Sequence, residues 1–157
     1  MIISGFAGIG KSRFAKMHPD IAIDLESSDY KWNFDDSIKD MDVEERKGQT
    51  KKTLNPAWPR NYVEKIKEVS EKYKYVFICM DMDVRNMLHD EKIEFSLAFP
   101  TLDSKDEYIC RYKSRNNGEN FVALLESKYD EWIADLYKCP DDKLLIEKGC
   151  FLSDVIE

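Results

Sequence analysis

Between Gly5 and Ser12 the chain reads Gly-Phe-Ala-Gly-Ile-Gly-Lys-Ser, a full match to G-x-x-x-x-G-K-[ST], and nothing else in the sequence limits the fold as tightly. Glycines in this arrangement let successive backbone N–H groups turn inward around an anion, and the positive end of the following helix adds to that field. Lys11 would bring a mobile charge to the β- and γ-phosphates of a nucleotide, and the Ser12 hydroxyl would ligate the accompanying magnesium ion. Such a turn needs a buried strand before it and a helix after it. Met1-Ile2-Ile3 supplies the apolar run, and Arg13 to Met17 reads as helix until His18-Pro19 ends it. Gly5, Gly8, Ile9, Gly10, Lys11, Ser12 and Arg13 are therefore the candidate ATP-binding residues, with Lys11 also catalytic and Ser12 also a metal ligand. The competing reading is a structural turn with no ligand.

At 157 residues the sequence predicts a single domain over its whole length, large enough to bury a core without metals or disulfides. Acidic residues number 31 against 24 basic ones, for a net charge of −7, and no Lys/Arg block is long enough to mark a groove for duplex nucleic acid. Polynucleotide partners are disfavoured on that ground. The cysteines, Cys79, Cys110, Cys139 and Cys150, are widely spaced and form no C-x-x-C pair, so they read as reduced thiols of a cytoplasmic protein. No apolar run approaches the length of a membrane span, and the sequence starts on its first strand, with no room for a signal peptide before it.

Ile21-Ala22-Ile23 predicts a second strand, followed by Asp24-Leu25-Glu26-Ser27-Ser28-Asp29. In open α/β sheets ligands collect beyond the carboxyl ends of the strands, so this cluster of acids and hydroxyls is expected near the phosphates. Asp24 is the candidate to orient or deprotonate an acceptor hydroxyl, or to hold a magnesium-bound water, with Glu26 and Ser28 beside the acceptor. The alternative is that Asp24, Ser27 and Ser28 merely turn the chain. The polar stretch from about residue 29 to 61, broken by Gly48, Pro56 and Pro59, predicts a flap with a short helix within residues 42–52. Trp32 and Trp58 either offer a base a stacking surface or pack on the domain's own core.

A helix over residues 62–72 should bury Val63, Ile66, Val69 and Tyr73, and the unbroken run from Tyr75 to Met80 should form a central strand. Asp81 follows that strand as a magnesium-binding acid would, though an acid after a strand is also an ordinary helix cap. A short helix from Val84 to Leu88, a strand over 93–99, a strand over 144–146 and a closing short helix from Phe151 to Ile156 complete the pattern. Strand and helix alternate five times, which argues for a parallel sheet sandwiched between helices.

Ser104-Lys105-Asp106-Glu107 matches a capping box, so a helix should start at Lys105 and carry Tyr108, Arg111, Tyr112 and Arg115. Arg111 and Arg115 are four residues apart and share one helical face, as suits a catalytic lid over about residues 104–120 that closes on a transferring phosphoryl group. Ion pairing with Asp106 or Glu107 is the other reading. Asn116-Asn117-Gly118 should break that helix, and a longer one follows with Phe121, Leu124, Leu125, Tyr129, Trp132, Ile133 and Leu136 on its packed face.

With these residues in view, the chain resembles the small P-loop kinases of the nucleoside monophosphate, shikimate and gluconate kinase type. It is more closely similar to short phage and bacterial proteins described as putative nucleotide or adenylate kinases. The likeness runs through the glycine-rich loop, Asp24 to Ser28, Asp42 to Gly48, Asn55-Pro56, Trp58 to Tyr62, Val84-Arg85, Phe99-Pro100, Tyr108 through Arg115, Phe121 and Trp132-Ile133. It implies a three-layer α/β/α P-loop NTPase fold with a five-stranded parallel sheet and an arginine-bearing helical lid. It also implies a kinase that uses ATP and Mg²⁺ on a small acceptor, with a nucleoside monophosphate or deoxynucleotide expected. A lid arginine would come from Arg111 to Arg115. Where such kinases often carry Ser-Ser-His after the third strand, this chain has Cys79-Met80-Asp81, and the Asp-Gly-Phe-Pro-Arg signature of adenylate kinases is missing. Adenylate specificity does not follow. A nucleotide-binding ATPase or GTPase switch and a polynucleotide-end kinase are the alternatives.

Overall fold

Ile2–Gly5 and Tyr75–Ile78 are buried at every residue, and apolar runs of that kind satisfy their backbones inside a sheet covered on both faces. A computed structural model describes residues 1–115 and 117–156, the side chains of Glu44 and Lys47 excepted. In chain order the elements are β1 (Ile2–Gly5), α1 (Lys11–Met17), β2 (Ala22–Asp24), α2 (Ser28–Lys31), β3 (Trp32–Phe34), α3 (Val43–Lys47) and β4 (Lys52–Leu54). They continue with α4 (Arg60–Ser70), β5 (Tyr75–Ile78), α5 (Met82–Asp90), β6 (Ser96–Pro100), α6 (Lys105–Ser114), α7 (Glu119–Lys138) and β7 (Asp142–Ile146), followed by a 3₁₀ turn at Leu152–Asp154.

The main sheet has five parallel strands in the order β2-β5-β1-β6-β7. Ile3 of β1 lies opposite Phe77 on one side and Ser96 on the other, which fixes β1 at the centre. From β1 the chain crosses to the far edge at β2, returns to β5 and then passes β1 to reach β6. The carboxyl end of β1 therefore lies where the direction of travel reverses, and that is where open sheets bind ligands. Right-handed crossovers assign α1 to one face and α4, α5 and α7 to the other. Contacts follow that assignment: α4 lies on α5, α6 on α7, and the Leu152–Asp154 turn on α1.

Several details differ from the sequence reading: the closing helix expected over 151–156 is a three-residue 3₁₀ turn at Leu152–Asp154. The fourth sheet strand begins at Ser96 instead of Ile93, and Pro100 ends it from within, opposite Ile146; a strand end is one of the places where the missing N–H is tolerated. The buried row of α7 is Val122, Leu125, Tyr129, Ile133 and Leu136, while Phe121 and Leu124 are exposed. A seven-residue apolar set spans more of a helix than one neighbour covers, and the true seam runs through Val122.

The stretch before α4 was expected as a flap, and it contains a helix where one was predicted, at Val43–Lys47. It also holds an antiparallel hairpin that the polar sequence concealed, with Trp32 opposite Leu54 and Phe34 opposite Lys52. Trp58 packs on the ring of Tyr62 at 5.4 Å and joins the core, whereas Trp32 faces the cavity described below. Of the predicted helix break at Asn116-Asn117-Gly118, Asn117 and Gly118 lie between α6 and α7, and Asn116 falls outside the described residues.

α4 buries Tyr62, Val63, Ile66 and Val69. Burial pushes the Tyr62 phenol well above its ordinary value, so it stays a donor at working pH, and it donates to the Leu25 carbonyl at 2.8 Å. That bond pins the chain just after Asp24. Among the described residues no helix is long and apolar enough to cross a membrane.

Candidate functional site

The loop between β1 and α1 must reverse tightly, and it does so through two left-handed positions, Gly8 at φ +85° and Gly10 at φ +100°. A side chain at either would be strained, and one at Gly8 would also press on the Tyr112 hydroxyl, 3.2 Å from the added carbon. Gly5 is constrained by space: a Cβ there would lie 2.7 Å from Cδ of Lys11. The lysine stem thus lies across Gly5, and its Nζ donates to the carbonyls of Gly5 at 2.6 Å and Phe6 at 3.0 Å.

Beyond this loop opens a cavity of about 670 Å³, of the size that holds small ligands. Of the residues singled out in the sequence, Gly8, Gly10, Lys11, Ser12, Arg13, Asp24, Glu26, Ser28 and Arg115 line it. Gly5 and Ile9 support it from behind. The Ile9 side chain is fully buried and its carbonyl accepts from the Leu152 N–H at 2.8 Å.

The Ser12 hydroxyl donates to Oδ2 of Asp24 at 2.5 Å. Twelve residues apart in sequence, they meet because β2 ends beside the start of α1. Asp81 goes elsewhere. It accepts from the Asp83 N–H at 2.9 Å as the cap of α5 and pairs with Lys31 at 2.5 Å, and it does not line the cavity. The helix-cap reading is therefore realised at Asp81, and the carboxylate that meets Ser12 is Asp24. Among the described residues no three His, Cys, Asp or Glu side chains gather to hold a metal.

The two arginines part company: Arg111 lies within α6, whereas Arg115, expected on the same helix, is the residue that caps its end. Arg111 donates to the Gly8 carbonyl at 3.0 Å and to the Cys150 carbonyl at 2.9 Å, and it pairs with Glu107. Its guanidinium also lies 4.0 Å from the centre of the Phe151 ring and 4.6 Å from that of Tyr108. Glu107 in turn accepts from the Gly149 N–H at 2.7 Å. Arg111 is an anchor between α6, the glycine-rich loop and the turn after β7, which differs from the expected swinging pair and matches the ion-pair alternative. Arg115, exposed at the end of α6, faces the cavity.

Tyr112 was visible in the sequence only as a helix residue, yet its hydroxyl donates to the Ala7 carbonyl. Burial raises its phenol above the ordinary range, which keeps the proton on the donor. Cys79 also lines the cavity, with its thiol raised chiefly by burial. Ser28 has a buried hydroxyl with no hydrogen-bond partner among the described residues. Phe151 has both Arg111 and Arg13 near its ring, the latter 5.9 Å from the ring centre, whereas the sequence offered it only as the start of a closing short helix.

The separation of the arginines gives a test. Arg111→Ala should cost about 2 kcal/mol, or ~4–8 °C in melting temperature, because charged hydrogen bonds and ring contacts go together. Arg115→Ala should leave the melting temperature unchanged. Scanning calorimetry of the two variants checks this, and equal destabilisation would contradict the assignment.

No family model and no curated protein sequence matches the chain.

Proposed function

We propose that the protein is a magnesium- and ATP-dependent phosphotransferase acting on a small acceptor, with a nucleoside monophosphate or deoxynucleotide as the expected class, built on a P-loop NTPase fold. The observation that carries this reading is the convergence on one cavity of Gly8, Gly10 and Lys11 of the loop, the hydrogen-bonded Ser12–Asp24 pair and Arg115.

Phosphoryl transfer asks the protein mainly for position and for charge stabilisation. Lys11 and the loop N–H groups would hold the β- and γ-phosphates, and Arg115 would approach the transferring group from the end of α6. The Ser12 hydroxyl and the Asp24 carboxylate suit a magnesium ion, which takes few protein ligands and keeps waters and phosphate oxygens for the rest. The ion would neutralise charge on the triphosphate. An acceptor oxygen attacks the terminal phosphorus as the bond to the bridging oxygen breaks and the diphosphate leaves with that electron pair. A phosphate acceptor needs no base; a hydroxyl acceptor would give its proton to Asp24. Glu26, Ser28 and Trp32 offer the acceptor a carboxylate, an unused hydroxyl and an aromatic face on the flap side of the cavity.

The test is magnesium-dependent ADP formation across nucleoside monophosphates, nucleosides, sugar acids and oligonucleotides. Turnover that requires a small acceptor, and that falls about 10²-fold in Asp24→Asn, is the expected result. Turnover indifferent to acceptor would mark a hydrolase or switch, and turnover on oligonucleotides alone a polynucleotide-end kinase.

A further inference from the structure

On the far side of Phe6 and Ala7 from the Ser12–Asp24 pair lies a second cavity of about 530 Å³. Its walls are Phe6 and Ala7 of the loop, Met80, Met82 and Arg85 around the start of α5, Tyr112 of α6, and Phe121, Leu125, Trp132 and Leu136 along α7, with Asp135 and Cys139 at one end. Among the described residues it shares only Ala7 and Tyr112 with the cavity already described.

Its chemistry is different. The lining is dominated by aromatic rings and flexible thioethers, which accept flat apolar bodies. One cation stands among them, and it is poorly used. Arg85 donates through Nη1 to Sγ of Cys139 at 3.6 Å, a weak acceptor, while its buried Nε has no partner and no carboxylate among the described residues pairs with it. A guanidinium is the side chain best matched to a planar carboxylate, and leaving its buried Nε–H unpaired beside apolar walls costs free energy that an anionic ligand would recover. Asp135 does not do so: its carboxylate is turned to Lys138 at 3.2 Å and is largely exposed.

We infer that this cavity is a second binding site, for a flat aromatic or heteroaromatic acid whose ring lies between α5 and α7 and whose carboxylate meets Arg85. This site is separate from the phosphate cavity and goes beyond the phosphotransfer reading.

Calorimetric titration of the full chain with 2-naphthoate, and with 2-naphthalenemethanol as its neutral counterpart, tests the inference. One naphthoate per chain should bind, about tenfold tighter than the alcohol, and binding should weaken about tenfold or more in Arg85→Met. Met82→Trp, at a wall position 65% exposed and so able to accept bulk without disturbing the core, should also block it. Bound naphthoate should slow iodoacetamide labelling of Cys139, mapped by peptide mass, while leaving exposed Cys110 unchanged. Lys11→Ala should bind naphthoate as the parent does. The inference is overturned if the alcohol binds equally well, if Arg85→Met is indifferent, or if Cys139 is not protected. It is overturned equally if Lys11→Ala abolishes binding, which would put the acid in the phosphate cavity, or if sedimentation shows that a second copy of the chain covers this face.

Discussion

Lys11→Ala is expected to lower acceptor-dependent turnover by about 10²–10³-fold, the usual scale for removing one preorganised charge or donor from a transition state. The loop as it stands carries the Lys11 ammonium on the carbonyls of Gly5 and Phe6, with the stem laid across Gly5. Phosphate oxygens would replace those carbonyls as acceptors, and the short reach from a loop already shaped around Nζ is what makes the charge preorganised. The variant removes no buried apolar group, so its melting temperature should stay close to that of the parent. Steady-state ADP formation together with a thermal melt separates the two effects. Retention of full turnover would remove Lys11 from the chemistry, and a collapse of the melt would show that the side chain serves the fold.

Phe77→Ala should be the most damaging single change to stability, at about 3–5 kcal/mol against a total of ~5–15 kcal/mol for a domain of this kind. Phe77 is fully buried in β5, between β1 and β2, and meets the ring of Phe14 from α1 at 5.6 Å. Truncation would leave a void that β1, buried at every residue beside it, has no room to fill. The same residue's carbonyl accepts from the Leu25 N–H at 3.0 Å, so the strand it fills also positions Asp24. Urea unfolding monitored by tryptophan fluorescence measures the loss. A cost near 1 kcal/mol would mean that the sheet centre can repack, and the account of a close-packed middle would be wrong.

A milder expectation tests the support of β2. Tyr62→Phe should cost about 1–2 kcal/mol in the same unfolding experiment, because it leaves the Leu25 carbonyl without its buried donor.

Much of this architecture could be read from local pattern. Runs such as Tyr75 to Ile78 have few ways to bury both faces, helices such as Arg60–Ser70 announce themselves through spacing, and a glycine-rich turn between strand and helix has a narrow range of shapes. The hairpin of Trp32–Phe34 with Lys52–Leu54 escaped because its strands are short, polar and paired across seventeen intervening residues, so neither carries a period long enough to notice. The α7 seam was misread for a related reason: periodicity finds a broad apolar face, and only the neighbour decides which row is covered. Phe121 and Trp132 belong to the adjoining row, and they border the second cavity.

At the site, residue types and the loop were legible while partnerships were not. Helical spacing groups Arg111 with Arg115, but the helix ends at Ser114 with Arg115 as its cap, and spacing carries no information about acceptors 103 and 39 residues away. Those carbonyls, on Gly8 and Cys150, hold Arg111 and leave Arg115 to the cavity. Asp24 and Asp81 both follow strands and look alike in one dimension. Folding sets the first beside Ser12 and the second beside Lys31, because a parallel sheet brings the ends of β2 and β1 to one rim while the Asp83 N–H, two residues on, claims Asp81 for a cap. Chain chemistry fixed most of the elements and what each can offer; the folded packing decided which charges are paired and with what, since pairing energy depends on distances that the order of residues does not contain.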